Sequence, residues 1–212
     1  MKRSVILAGL ISLFLSGCLG FRSIAYQLEF DDSFNKGKIK VTFEDIRSEE
    51  LIIPDFNIFS EKKEKKSESE EEKAQRIKQA KKDDFKELLD TYQSDDMLLD
   101  MVKQGIYIKD RFLYEKNGKL YGGFNGIFQN LKFDEDDFIL NVLQDSVQLI
   151  VSSDNETERI ETNGAKKQDE TGTIITWPKT QRTLYWRVVL KTENPEKSHS
   201  LVDLYREWKK KS

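Results

Sequence analysis

The amino-acid sequence predicts an α+β domain: a mainly antiparallel β-sheet of about eight strands, with an inserted helical hairpin and a C-terminal amphipathic helix. Short runs of alternating apolar and polar residues, with the period of a strand, recur along most of the chain. Apolar residues recur instead at helical spacing between residues 77 and 102 and again after residue 200. The 212 residues suffice for one domain with an insertion.

The composition excludes several classes of function. The chain has 35 basic and 38 acidic residues, interspersed, with a net charge of -3. This balance lacks the basic footprint that neutralises a phosphate backbone, so we expect no nucleic-acid partner. Cys18 and His199 are the only cysteine and histidine in the sequence, which leaves little for a thiol or imidazole mechanism or for a His/Cys metal site. We therefore expect no enzymatic activity, no metal and no dissociable cofactor.

The N-terminus has the pattern of an export signal. Lys2 and Arg3 precede an apolar run over residues 5–15, which is too short to span a bilayer as a helix. The next residues complete the tetrapeptide Leu15-Ser16-Gly17-Cys18, which resembles the lipobox of bacterial lipoprotein precursors.

The lipobox resemblance implies a lipid anchor. In that family the signal is cleaved between the residues that correspond to Gly17 and Cys18, and the cysteine carries diacylglyceryl and N-linked acyl chains such as palmitate. Residues 1–17 are then a cleaved signal peptide, and residues 18–212 form the mature domain. Leu19 is not the aspartate that retains many such proteins in the inner membrane, so we expect the outer membrane. The alternative is an ordinary secretory signal with an incidental cysteine.

The mature chain begins with two predicted strands. Apolar residues alternate with polar or small ones over residues 21–30 and again over 38–43. The polar link 31–37 joins them, which predicts a hairpin. This link has oxygen ligands at alternate positions, as a calcium loop does, but Thr42 stands where such a loop requires a bidentate Glu. A polar turn is therefore the favoured interpretation.

Residues 60–105 are predicted to be a charged, helical insertion. Glu, Lys and Ser dominate residues 60–82, which form either a solvated face or a recognition surface for a protein partner. Helical spacing begins at Ile77, and Ser94 followed by two aspartates is typical of the start of a second helix. We expect that helix to end at Gly105.

The chain returns to strands after the insertion. Asn117-Gly118 between residues 106–115 and 120–128 predicts a tight hairpin with Tyr114 opposite Tyr121. The glycines after Tyr121 indicate a bulge or a close backbone approach. Alternating runs follow at 138–142 and 147–151, and a polar stretch covers 152–172. Residues 173–177 and 184–190 are predicted to form a last hairpin.

The C-terminus is predicted to be a short helix. Ser200 and Asp203 fit a capping pattern, and apolar side chains from Leu201 to Trp208 lie on one helical face. The aromatic residues of the last forty positions are candidates for ligand or partner contact, with a packed core as the alternative. They are Trp177, Trp186, Tyr205 and Trp208.

Two further features are candidates for metal binding or catalysis. The acidic run 134–137 suits a hard cation or acid/base work only if its carboxylates are buried together, and its flanks favour a solvated turn. His199 is interpreted as a solvated residue near the start of the closing helix, since no second His accompanies it.

The mature domain also resembles LppM-type envelope lipoproteins, in its Tyr-x-Leu-x-Phe strand at 26–30, Tyr-Gly-Gly-Phe at 121–124 and Thr-Trp-Pro at 176–178. That resemblance implies an anchored α+β domain associated with envelope lipids and host interaction. We expect a non-catalytic binding or structural module with an envelope or host protein partner. The alternatives are a carrier of lipid or another apolar ligand, held between sheet and helices, and a hydrolase that uses carboxylates alone.

Overall fold

The computed structural model describes residues 19–50, 69–131, 134–135, 138–152, 157–169, 172–191 and 194–211. The predicted signal peptide and Cys18 lie outside the described residues, as do residues 51–68 of the charged insertion. The side chains of the acidic run 134–137 also lie outside them.

The α+β class is confirmed, with strands as the main component. The described residues form twelve strands, three α-helices and one 3-10 turn at Pro195–Lys197. The strands are β1 (Leu19–Phe30), β2 (Lys36–Glu49), β3 (Ile106–Lys116), β4 (Lys119–Gln129), β5 (Asp134–Glu135), β6 (Phe138–Val142), β7 (Ser146–Ser152), β8 (Thr157–Thr162), β9 (Ala165–Asp169), β10 (Gly172–Pro178), β11 (Thr183–Leu190) and β12 (Ser198–Ser200). The helices are α1 (Glu70–Gln93), α2 (Asp96–Lys103) and α3 (Val202–Lys209).

The described strands form two sheets, where the sequence pattern predicted one. The larger sheet has the order β3-β4-β2-β1-β11-β8, with β12 beside β2, and the smaller sheet has the order β5-β6-β7-β10-β9. All the pairings are antiparallel. The strand count exceeds the predicted eight because short or wholly polar strands such as β5, β9 and β12 lack an alternating pattern.

Two predicted hairpins are confirmed with their turns. β1 pairs with β2, and the Asp31 carboxylate accepts hydrogen bonds from the Ser33 amide at 3.1 Å and the Ser33 hydroxyl at 2.7 Å. In the β3–β4 hairpin, Asn117 and Gly118 have φ of 53° and 71°, the values that a tight hairpin turn requires. The Asp31 carboxylate is thus hydrogen-bonded within its own turn, as the polar-turn interpretation predicts.

The predicted last hairpin is wrong. β10 pairs with β7 and β9 in the smaller sheet, whereas β11 pairs with β1 and β8 in the larger one. The turn after Pro178 therefore carries the chain from one sheet to the other. Both strands have one buried face, so their alternation was correct, but a strand pattern does not identify its neighbour.

Aromatic side chains fill the space between the two sheets. The rings of Tyr26 and Trp186 in the larger sheet are stacked with centroids 4.8 Å apart. From the smaller sheet, Trp177 lies 6.0 Å from Trp186, and Phe138 lies 6.2 Å from Tyr26. All four side chains are buried, which places the centre of the core here.

The predicted helical insertion is confirmed for residues 70–103. A capping box starts α1: the Glu72 amide donates to the Ser69 hydroxyl at 3.2 Å, and the Ser69 amide donates to the Glu72 carboxylate at 2.9 Å. Phe85 and Leu88 are the apolar residues that α1 buries against the core. Gly105 follows α2 with φ of 80°, and a side chain there would meet the Gln129 carbonyl. The insertion is therefore packed against the sheet.

The closing helix α3 begins at Val202, with Leu201 as its N-cap where Ser200 was predicted, because Ser200 still belongs to β12. The Ser200 hydroxyl nevertheless accepts a hydrogen bond from the Val202 amide at 3.3 Å, so it satisfies one free amide of the first turn. Two contacts attach the helix to β3 of the larger sheet. The Tyr205 hydroxyl donates to the Leu113 carbonyl at 3.0 Å, and the Arg206 guanidinium donates two hydrogen bonds to the Glu115 carboxylate. Among the described helices, none combines the length and the apolar character that a bilayer-spanning helix requires.

Candidate binding face

One face of the larger sheet packs against the core, and the opposite face carries polar and aromatic side chains. Buried residues such as Val41 and Trp186 alternate with half-buried or exposed neighbours such as Lys40 and Tyr185. We call this second side the outer face; its side chains come from β1, β2, β3, β4, β8 and β11.

An ion-pair network lies at the centre of the outer face. Arg187 of β11 contacts the Glu44 carboxylate of β2 and lies 3.0 Å from the Glu161 carboxylate of β8. Ser23 of β1, fully buried between them, donates to Glu44 at 2.7 Å and accepts from Arg187 at 3.1 Å. Arg159 reaches the second oxygen of Glu161 at 2.9 Å. These bonds join four strands across the sheet.

The network holds its charges in the ionised state. The hydrogen bond from Arg187, followed by that from Arg159, keeps the pKa of the Glu161 carboxyl below its ordinary value. Burial acts to lower the pKa of Arg187, but the hydrogen bonds and charges of Glu161 and Glu44 outweigh it, so that pKa is raised. A general acid needs a carboxyl with a raised pKa, and Glu161 has the opposite. The arrangement suits a fixed pattern of charge better than proton transfer.

Aromatic side chains flank this network on β3 and β4. Tyr114 and Tyr121 are cross-strand partners with nearly parallel rings, 5.3 Å between centroids. Phe112, two residues before Tyr114, lies 5.8 Å from it, and the Lys40 ammonium lies 5.4 Å from the Phe112 ring centroid. Burial, and then the nearby Tyr121 and Glu44, raise the pKa of the Tyr114 hydroxyl, so it stays protonated at neutral pH. We call Phe112, Tyr114 and Tyr121 the aromatic strip; it offers ring surface beside charged groups.

A shallow cleft of about 280 Å³ lies beside the aromatic strip. Its walls include three lysines, Lys38, Lys40 and Lys109, together with the amide side chains of Gln27 and Asn125. Glu29 is the one acidic residue in the lining and lies 3.6 Å from Lys38. We call this the lysine cleft.

A larger, polar cleft of about 670 Å³ lies where β1 begins. Its charges are mostly neutralised in pairs: Arg22 with Glu158 at 2.5 Å, and Asp45 with Arg47 at 2.8 Å and with Lys119 at 3.2 Å. Asp45 is buried in a left-handed backbone conformation with φ of 59°. Because its carboxylate is occupied by two cations, this cleft offers less unmatched charge than the lysine cleft.

The aromatic residues predicted as contact candidates lie mainly in the interior. Trp177, Trp186 and Tyr205 are buried in the core, and Trp208 is half-buried beside Tyr205 at 5.9 Å. The side chains around them belong to the hydrophobic core, so the packed-core alternative accounts for their positions. A role in ligand contact stays a prediction.

His199 lies on a strand, where a solvated position near a helix was predicted. It pairs with Ser48 as part of β12, is half-buried, and its Nε2 lies 2.9 Å from the Glu50 carboxylate. Arg76 of α1 lies 3.3 Å from the same carboxylate. The histidine therefore joins a structural contact between the sheet and α1. Among the described side chains, no group of three or more His, Cys, Asp or Glu is placed to hold a metal ion.

Sequence reasoning did not select the outer face as a site. Its polar residues are those on the solvent-facing side of alternating strands, and of its contacts only the cross-strand pairing of Tyr114 with Tyr121 was predicted. The convergence of Glu44, Glu161 and Arg187 depends on strand order, which the local pattern does not contain. No protein-family model, curated protein or solved structure matches this chain.

Proposed function

We propose that the protein is a lipid-anchored lipoprotein of the cell envelope, of the outer membrane where the cell has one. It acts as a non-catalytic binding module, and the outer face of the larger sheet is its binding surface. The anchor is the acylated Cys18, and the membrane is reached through that lipid.

The outer face is the observation that supports a binding role. It combines the aromatic strip with ion pairs that are held in place by several strands, which is the composition of a recognition surface. Tyr114 is 36% exposed and Ile127 is 39% exposed on this face, so its apolar groups are accessible in the described structure. Exposed aromatic side chains beside fixed charges supply both contact area and orientation.

The start of the described chain supports anchoring close to the membrane. β1 begins at Leu19, the residue directly after Cys18, so no flexible tether separates the lipid from the sheet. The 12 residues of β1 extend about 40 Å from that point. The outer face would therefore extend outward from the membrane surface along β1.

The packing between the two sheets argues against an apolar ligand site in that space, whereas a carrier site between sheet and helices stays an alternative prediction. A carrier needs a continuous apolar cavity of a few hundred cubic ångströms. The rings of Tyr26, Trp186, Trp177 and Phe138 occupy the space between the layers with centroid separations of 4.8 to 6.2 Å.

Labelling with a fatty-acid analogue tests the anchor. Wild-type protein should incorporate an alkyne-bearing palmitate and partition into detergent, whereas Cys18→Ala should do neither and should keep its signal peptide. Lys167→Ala, at an exposed position on β9 of the smaller sheet, serves as the expression control. A Cys18→Ala protein that is cleaved and still partitions into detergent would contradict the lipoprotein proposal.

Photo-crosslinking in intact cells tests the binding surface. A photoreactive phenylalanine analogue replaces Tyr114 on the outer face or, as the control, the exposed Lys167 on β9 of the smaller sheet. We expect adducts from Tyr114 and none from Lys167, detected by both protein and glycan staining. Equal adduct formation at both positions would refute the outer face as the binding surface.

A further inference from the structure

A β-bulge places Asp110 on the outer face next to Lys109. In the β3–β4 pairing, Ile108 lies opposite Gly126 and Asp110 lies opposite Asn125, which leaves Lys109 as an extra residue in β3. Ile108 packs against the core, so regular alternation would place residue 110 on the core side as well. The bulge instead brings Lys109 and Asp110 together on the outer face. Bulges commonly redirect a side chain beside a functional site.

Lys109 completes the lysine cleft. Lys38 and Lys40 stand two residues apart on β2, so they share the outer face with it. Within the described residues, Lys38 is paired with Glu29, whereas no carboxylate lies within 4 Å of Lys40 or Lys109. The cleft thus has more positive than negative charge, in a chain whose net charge is -3.

Lys38, Lys40 and Lys109 bring like charges together around one exposed cleft, which favours the binding of an anion between them. The side-chain amides of the lining add further hydrogen-bonding groups. Asn125 donates to Asp110 at 2.7 Å and Gln27 donates to Glu29 at 3.2 Å, so both acidic neighbours are already engaged. The ammonium groups of Lys40 and Lys109 therefore remain to bind an incoming ligand.

We infer that the lysine cleft binds the anionic group of an acidic saccharide, a sugar carboxylate or a sugar sulfate or phosphate, while the saccharide chain runs along the aromatic strip. This inference rests on the proposed function, since it names the ligand class of the outer face.

The geometry of the two features favours a saccharide. Lys40 belongs to both, because its ammonium group lines the cleft and lies over the Phe112 ring. From Lys38 to Glu44, the partner of Tyr121, the surface extends six residues along β2, or about 20 Å, which is several sugar units. Sugar rings pack against aromatic faces, and the shallow cleft leaves room for a chain to continue in both directions.

Binding assays with defined probes test this inference. Full-length lipidated protein in neutral detergent is titrated calorimetrically with a heparin hexasaccharide, an oligogalacturonate, maltohexaose and a poly-glutamate peptide. We expect binding of the sulfated or the carboxylated saccharide and none of neutral maltohexaose. Binding should weaken as the salt concentration rises from about 0.05 M to about 0.5 M, because exposed charges are screened.

Matched variants distinguish binding in the lysine cleft from non-specific attraction of an anionic saccharide to surface lysines. Lys40→Ala with Lys109→Ala should weaken binding about tenfold, since two charged contacts are lost. The control pair Lys167→Ala with Lys210→Ala removes the same charge from exposed positions elsewhere and should change affinity by less than about twofold. Lys109→Arg should retain binding. Because all four lysines are exposed, unfolding midpoints should match those of the wild type.

Three results would overturn the inference: no binding of either acidic saccharide, equal losses in the cleft and control variants, or preference for poly-glutamate over both saccharides. Failure of the proposed function is distinguishable. If outer-face adducts form in cells but no acidic saccharide binds, the binding module stands and the ligand class is wrong. If Cys18 is not acylated but the cleft still selects an acidic saccharide, the anchor is wrong and the ligand class stands.

Discussion

Truncation of Trp177 tests the packing of the two sheets against each other. Trp177 is completely buried on β10, contacts Trp186 of the larger sheet, and donates from its indole nitrogen to the Asn163 side chain at 2.8 Å. A tryptophan buries about 150–250 Å², and about 25 cal/mol per Å² gives a transfer contribution of about 4–6 kcal/mol. Measured costs of comparable truncations are about 3–5 kcal/mol. We therefore expect Trp177→Ala to lower the free energy of unfolding by about 4 kcal/mol.

Urea unfolding of the full-length protein in neutral detergent, followed by far-ultraviolet circular dichroism, measures this loss. Trp208→Ala is the matched control, because Trp208 is only half-buried, and its cost should stay below about 2 kcal/mol. Trp177→Phe keeps a ring but removes the donor to Asn163, which should cost about 1–2 kcal/mol. A loss for Trp177→Ala no larger than that for Trp208→Ala would refute the two-sheet core, provided that the denaturant slope is unchanged.

Three further predictions follow from the described contacts. Gly123→Ala should cost about 1–3 kcal/mol of unfolding free energy, since an added Cβ would lie 2.0 Å from the Val41 carbonyl; a cost near zero in a thermal melt would contradict that close approach. Arg187→Met should lower the unfolding free energy by about 2 kcal/mol, because it leaves the half-buried Glu44 carboxylate without its cation. The more exposed Arg159→Met should cost less than about 1 kcal/mol, and equal costs in urea titrations would count against the network. Burial acts to raise the pKa of Asp45, but Arg47 and Lys119 together lower it. The ionised Asp45 carboxylate therefore stabilises the folded state fully above the unfolded pKa of about 3.9, and this contribution is lost as the pH falls through the lower folded pKa. Wild-type stability should therefore fall more steeply below about pH 4 than that of Asp45→Asn, and parallel pH profiles would contradict the pairing.

The sequence predicted correctly those turns and helices that depend on residues close together in the chain. The Asn117-Gly118 turn needs left-handed conformations that those residues tolerate, and it set the register that places Tyr114 opposite Tyr121. The helical spacing after Ile77 likewise located α1, because one face of a helix is visible in its own residues.

Elements without an apolar pattern were beyond local reasoning. β9 is an edge strand whose described side chains are exposed, so nothing in its sequence distinguishes it from a polar loop. The bulge at Lys109 was equally hidden, since one extra residue in a strand is defined only against its partner.

The sequence by itself determined the α+β class, the first two hairpins and the helical insertion, and it predicts an export signal that ends at Cys18. Only the tertiary structure decided that β10 and β11 belong to different sheets, and that Glu44, Glu161 and Arg187 meet on one face. The physical reason is that alternation tells which side of a strand is buried, whereas the choice of neighbouring strand depends on how all the buried faces pack together at once.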